Sequence, residues 1–169
     1  MTDVLADLAP HFFQVAYVVP EIASAEDWFQ RTLGVRGFTR LADIHLAAGC
    51  EYRGQPSDCL LHLSLGWLGD TQVELIESVR GESIYTEHLR DRGPGLHHVA
   101  FLVPDFDAVL EGMARGQIPL ASRGALGPGM RFAYFDCQGP GFSLVEILDF
   151  DRATRDFMST LRERAREAS

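Results

Sequence analysis

One stretch of this chain is written twice. Residues 14–22 read Gln-Val-Ala-Tyr-Val-Val-Pro-Glu-Ile, and residues 98–106 read His-Val-Ala-Phe-Leu-Val-Pro-Asp-Phe, a match under a shift of 84 positions. A self-match of this length is the mark of a duplicated structural unit and limits the fold before any other consideration. Each copy runs apolar for about six residues, which suits a strand, then reaches proline and an acid, which suits a turn into a helix. After Pro20, the residues Ile22, Ala25, Trp28, Phe29 and Leu33 recur at helical spacing and Gly34 stops them. After Pro104, Phe106, Val109, Leu110 and Met113 do the same before Gly116.

Strand-like segments follow each helix, at 37–47, 58–68 and 71–79 in the first copy and at 118–124, 130–137 and 142–150 in the second. Turn-forming stretches at 52–58, 68–70, 124–129 and 137–141 separate them. The chain therefore reads as α+β, a single domain over residues 1–150 made of two tandem βαβββ modules at about 11–80 and 95–150. A short helix from Ser83 to Arg90 and a Gly-Pro-Gly breaker join the modules. Residues 151–169 form a C-terminal amphipathic helix with Phe157, Met158 and Leu161 turned inward.

Composition excludes several function classes. With 169 residues, 46% hydrophobic, the chain is long enough to close a sizeable core. A formal charge of −9 and the absence of lysine argue against a nucleic-acid partner, which would need clustered cationic side chains. The N-terminal segment has no basic, apolar leader pattern, and no stretch is long and apolar enough to span a membrane. The expectation is a cytoplasmic protein. Cys50, Cys59 and Cys137 lack C-x-x-C spacing, so neither a disulfide framework nor a thiolate metal site is indicated.

The last strand of each module repeats a carboxylate. Alternation places Glu74 on one face with Gln72 and Ile76, and Glu146 on one face with Leu144 and Leu148. An acid among apolar neighbours has to be paired, protonated or bound to a metal. The repeat relates Gln14 to His98 and Glu74 to Glu146. If the modules curve around a shared cavity, an amide, an imidazole and two carboxylates meet there. Two negative charges balance a divalent cation, and the oxygen-rich set suits Zn²⁺, Ni²⁺, Co²⁺ or Mn²⁺ with positions left open for a ligand.

His97 and His98 are neighbours in a strand, so alternation sends them to opposite faces, and the match to Gln14 selects His98. His11, His45, His62 and His88 have no counterpart and read as structural or solvated. Arg123 and Arg131, flanking a glycine-rich turn, are candidates to hold a substrate carboxylate or phosphate. Phe13, Trp67, Phe132 and Phe142 are candidates to line an apolar pocket. The glycine-rich turn lacks the G-x-x-x-x-G-K-[ST] pattern of a nucleotide-binding loop.

The paired modules, the Gly-Leu-His-His-Val-Ala-Phe strand at 95–101 and the acidic final strands resemble the vicinal oxygen chelate superfamily. That superfamily includes glyoxalase I, methylmalonyl-CoA epimerase, extradiol dioxygenases, and fosfomycin and bleomycin resistance proteins. The resemblance runs over about residues 11–150 and implies a cupped mixed sheet around a central cavity holding one divalent metal ion. It places the metal ligands at Gln14, Glu74, His98 and Glu146. Their order resembles animal glyoxalase I, and the 95–101 strand resembles methylmalonyl-CoA epimerase.

Gln14 stands where the dioxygenases of this superfamily need a histidine for their facial triad, which counts against ring cleavage. The resemblance implies instead a metal-dependent isomerase or lyase that moves a proton alpha to a carbonyl through an enediolate or enolate. Glu146 is then the base, with Glu74 on the opposite face and Glu51 a further candidate acid. The substrate is a small carbonyl compound or thioester, and the assembly a homodimer. A reading of a different class is a metal-free small-molecule binding protein of the bleomycin-resistance kind. Against it, a pure binder has no need of two buried acids and a histidine at matched positions.

Overall fold

The computed structural model describes residue 5, residues 7–137 and residues 144–168. Both copies of the repeated stretch fold as strand, turn, helix: β1 (Phe12–Val18) leads to α1 (Ile22–Leu33), and β7 (Gly95–Leu102) leads to α3 (Phe106–Arg115). The acid after each proline is the reason the helix starts there. Glu21 accepts hydrogen bonds from the Ala23 and Ser24 amides, and Asp105 accepts one from Ala108. α2 (Ile84–Arg92) opens on a reciprocal cap between Ser83 and Thr86, and α4 (Arg152–Glu167) opens on Asp151.

The other strands are β2 (Arg36–Leu46), β3 (Glu51–Tyr52), β4 (Gln55–Pro56), β5 (Cys59–Leu68), β6 (Thr71–Arg80), β8 (Leu120–Leu126), β9 (Met130–Asp136) and β10 (Leu144–Phe150). They form one strongly curled sheet in the order β2-β5-β6-β1-β7-β10-β9-β8-β3-β4. β1 runs parallel to β6 and β7 parallel to β10, and the two modules meet where β1 and β7 pair antiparallel. Residues 52–58, expected as a plain turn, belong instead to the β3–β4 hairpin, which crosses to the other module and pairs Glu51 with Arg123 and Tyr52 with Ser122. The open edge of β8 explains this, because its unpaired backbone groups need a partner.

Core side chains follow the curl. The concave face carries Val18, Leu61, Ile76, Phe132 and Leu148, with Ala16 and Ala100 at the centre. On the convex face, α1 covers Val73 and Leu75, while α3 covers Phe135 and Ile147. α1 buries a narrower stripe than its spacing predicts: Ile22, Glu26 and Phe29 face the sheet, while Trp28 and Leu33 are exposed. Glu26 is tolerated there because Ser64 donates to its carboxylate and Arg40 grips it with two nitrogens. Phe157 is likewise exposed, and α4 turns Met158, Leu161 and Ala165 inward. Phe142 lies outside the described residues. Among the described residues no helix is long and apolar enough to cross a membrane.

α4 packs across β2, β5 and β10 and brings Met158 to the cavity. Gly37 makes that docking possible. Its φ is +64°, and a Cβ there would lie 2.5 Å from Cβ of Ala165. Gly37→Ala therefore adds left-handed backbone strain to a steric clash, and we expect a loss of about 1–3 kcal/mol in urea unfolding. An unchanged midpoint would show that α4 is not held at this contact.

Candidate active site

The site lies where the two modules join. In the β1–β7 pairing, Phe13 is an extra residue on β1 and His97 an extra residue on β7. These are β-bulges, and the 84-residue shift relates one to the other. A bulge breaks the two-residue alternation and re-aims the side chain beside it. Phe13 consequently joins the concave cluster, stacking edge-on against Trp67 and Phe150, next to Gln14. His97 also turns to the side of His98, against Tyr85, where strict alternation predicted the opposite face. Across the pairing, Gln14 stands opposite Ala100 and His98 opposite Ala16. Both alanines are fully buried, and they neighbour Glu146 and Glu74 in the adjoining strands. Their small side chains leave room for the carboxylates.

His98 Nε2 is 3.1 Å from Glu146 Oε2 and 3.7 Å from Glu74 Oε2. A relay behind His98 fixes its tautomer. His97 Nε2 is 3.2 Å from the Ile84 carbonyl, which only accepts, so that nitrogen carries the hydrogen. Burial, and then the neighbouring His98 and His88, hold the His97 pKa well below its ordinary value and keep the ring neutral. His97 Nδ1 therefore accepts, and His98 Nδ1, 2.8 Å away, donates to it. His98 Nε2 is left as a bare lone pair facing the two acids.

Gln14 is oriented in the same way. Its Nε2 donates to Gln72 Oε1 at 2.7 Å, leaving Oε1 buried without a hydrogen-bond partner, as His98 Nε2 also is. Gln72 and His97 are the supporting residues that reading by motif missed. Gln72 carried a usable signal, lying two residues from Glu74 on the same strand face. His97 carried none, because the bulge that turns it is invisible in the alternation pattern.

The electrostatics follow from burial. Desolvation and the adjacent Glu146 push the Glu74 carboxyl well above its ordinary range. Desolvation pushes Glu146 up to about 8, against the opposing pull of a Tyr134 hydrogen bond. Burial brings His98 down to about 3. Tyr134 is itself held by the Tyr85 hydroxyl at 3.0 Å. A bare amide oxygen, a bare imidazole nitrogen and two carboxyls form a set of acceptors that a proton or a cation satisfies. The donor types fit a divalent cation, although among the described residues no group of three or more His, Cys, Asp or Glu side chains is arranged to hold a metal ion. Without a cation, the raised proton affinity of both carboxyls relieves the repulsion between them.

Gln14, Gln72, Glu74, Glu146, Tyr85 and Tyr134 line a cavity of about 60 Å³, and His98 is fully buried beside it without lining it. Of the aromatic candidates, Phe132 lines it, whereas Phe13 and Trp67 do not: Phe13 packs edge-on against Trp67 and against Phe150, which does line it. Neither Arg123 nor Arg131 lines it. Arg123 pairs with Glu51 at 3.0 Å, and Arg131 pairs with Asp149 and Asp107 and covers the Phe106 ring. Glu51 is thus engaged with Arg123 on the β3–β8 clasp, away from Gln14, Glu74, His98 and Glu146.

These shifts set a pH dependence for the chelator-treated protein. Glu146 keeps a proton when folded up to about 8, while its ordinary value is 4.5, so its contribution to stability is lost as pH rises toward 8. His98, lowered from 6.5 to about 3, works in the opposite sense and weakens the fold only below 6.5. Between those limits the carboxyl governs, and the melting temperature should fall as pH rises from 6.5 to 8. Glu146→Gln should flatten the slope. A wild-type melting temperature that is level or rising across this window contradicts the burial of the acid.

The sequence signature of the Glyoxalase/Bleomycin resistance protein/Dioxygenase superfamily matches residues 13–134. No curated protein matches the sequence. Among solved structures, the methylmalonyl-CoA epimerase of Mycobacterium tuberculosis is similar with a TM-score of 0.62 at 18% identity, covering 88% of this chain and 93% of that one. A hypothetical protein of Bacillus halodurans C-125 is similar with a TM-score of 0.61 at 16% identity, covering 83% and 94%. The Streptomyces coelicolor methylmalonyl-CoA epimerase in complex with 2-nitronate-propionyl-CoA gives 0.58 at 17%, covering 83% and 96%. At these identities the structural likeness speaks for the fold. The signature, spanning both central strands and the helices α1, α2 and α3, assigns the chain to a family: it belongs to the Glyoxalase/Bleomycin resistance protein/Dioxygenase superfamily.

Proposed function

We propose that this protein is a divalent-metal-dependent isomerase or lyase, of the methylmalonyl-CoA epimerase or glyoxalase I kind, that transfers a proton at the carbon next to a carbonyl or thioester. One observation carries the reading: Gln14 Oε1 and His98 Nε2 stand buried and unpartnered where Glu74 and Glu146 converge. Gln14, Glu74, His98 and Glu146 would hold the cation, which when bound supplies Lewis-acid polarisation of the carbonyl and so eases loss of the adjacent proton. Glu146 is the base. Its carboxyl lies buried at the cavity wall among apolar side chains, where a poorly solvated carboxylate is a stronger base toward a carbon acid than an exposed one. Tyr134, hydrogen-bonded to Glu146, steers that carboxyl, and Glu74 faces the opposite side. The apolar walls keep water from quenching the enolate or enediolate. The epimerases among the structural neighbours support the same class by likeness of fold.

A cytoplasmic location is in keeping with three free thiols, and a homodimer is proposed from the family alone. The apolar cavity and the lack of a closed cage as placed favour a second reading, a metal-free small-molecule binder.

Metal analysis separates the two. The enzyme reading expects about one divalent ion per chain, removed by chelator and lost in Glu146→Ala. Protein that stays metal-free after supplementation with Zn²⁺, Ni²⁺, Co²⁺ and Mn²⁺ in turn supports the binder. In D₂O, the metal-loaded protein should exchange the alpha proton of a thioester or hemithioacetal substrate. Glu146→Gln should slow that exchange by roughly 10²–10⁴-fold, with KM little changed. Equal exchange by variant and wild type removes Glu146 from the role of base. His97→Phe, which takes away the acceptor behind His98, should weaken Zn²⁺ binding by about 10–100-fold in a chelator competition. Undiminished affinity would show that the relay does not set the His98 tautomer.

A further inference from the structure

The walls of the cup bear on which carbonyl compounds it accepts. Leu41, Ile44, Leu61, Leu63, Phe132 and Leu148 enclose most of the cavity, and its polar groups are two glutamines, two acids and two tyrosines. No cation of the protein is among them. The chain contains no lysine, all of its arginines fall within the described residues, and none lines the cavity. The arginines within four positions of lining residues are committed elsewhere: Arg40 to Glu26, Arg123 to Glu51, Arg131 to Asp149 and Asp107, Arg152 to Asp156, Arg155 to the Phe150 carbonyl and Asp149, and Arg162 to Asp70 and the face of Trp67. His98 is fully buried and does not line the cavity either.

A ligand carrying a free carboxylate into this space would meet two further carboxyls, Glu74 and Glu146, and no cationic side chain of the protein. A bound divalent cation would not reverse that balance, because those two acids already match its charge when ionised. An unpaired carboxylate among leucines is strongly disfavoured, whereas an alkyl group there is favoured by the same walls.

We propose that the cup selects ligands whose buried part is uncharged and apolar, an alkyl-bearing ketone, aldehyde adduct or thioester, and discriminates against those that bring a free carboxylate into the cavity. This deepens the carbonyl reading above and rests on it, and within that reading it counts against a methylmalonyl thioester as the substrate.

Two thioesters of N-acetylcysteamine isolate the charge. The isobutyryl and methylmalonyl forms differ only in a methyl against a carboxylate on the same alpha carbon. Calorimetric titration of the full chain, metal-stripped and Zn²⁺-loaded in turn, should show the isobutyryl thioester binding at least about tenfold more tightly in both states. Leu41→Arg, which adds a cation at the half-buried wall, should raise methylmalonyl affinity by about tenfold and narrow the ratio. Equal affinities, a preference for the carboxylated thioester, or binding of neither by the wild type overturns the proposal, whatever the variant does. Alpha-proton exchange in D₂O is read separately, with the methylmalonyl thioester and with the propionyl thioester as its uncharged counterpart. Selectivity without exchange leaves this inference standing and sinks the proton-transfer reading, and exchange without selectivity does the reverse.

Discussion

The antiparallel contact between β1 and β7 organises the centre of the molecule. Each strand brings one neutral donor, Gln14 or His98, and each sets a fully buried alanine opposite the donor of the other. Parallel pairing with β6 and β10 then lays Glu74 beside Ala16 and Glu146 beside Ala100. Larger side chains at the alanines would fill the space in which the acids converge. The site is thus a property of the junction, and neither module alone contains it.

At that junction the chain accepts an arrangement that a purely structural core would avoid. Two carboxyls and a neutral imidazole lie together in surroundings of leucine and phenylalanine, with glutamines and tyrosines rather than cations as the remaining polar neighbours. The carboxyls answer desolvation by holding protons to higher pH, and the imidazole answers it by refusing one. Elsewhere the protein neutralises its acids with arginine, as Glu26 with Arg40 and Glu87 with Arg53 show. The contrast marks the central acids as the exceptions, and perturbed groups gathered in a cavity are the usual physical mark of a working site.

Much of this was legible in the residues. The duplication, the helix starts at Glu21 and Asp105 and the pairing of Glu74 with Glu146 all rest on local pattern and fixed spacing, which a strand or a cap imposes directly. What the pattern hid depended on contacts between distant segments. The β3–β4 hairpin reads as a turn until the edge of β8 is there to receive it. Trp28 and Phe157 read as core until the width of the face beneath each helix is known. Arg123 and Arg131 read as ligand-holding until their acidic partners arrive from β3, β10 and the start of α3. His97 was placed on the wrong face because alternation assumes an unbroken ladder, and one extra residue breaks it.

The two extra residues also offset each other. Pairing begins in one register at Phe12 with Phe101, slips by one across Gln14, Val15 and Ala16, and returns to the original register at Tyr17 with Leu96. Deleting either inserted residue alone would close its neighbours onto the partners they already have, so every pair of the seam and every face would be kept. What each deletion removes is the local bend and the one side chain that regular pairing has no place for, Phe13 in one copy and His97 in the other. The ladder therefore carries these two residues as additions that its own register does not require, and what depends on them is the cup and not the sheet.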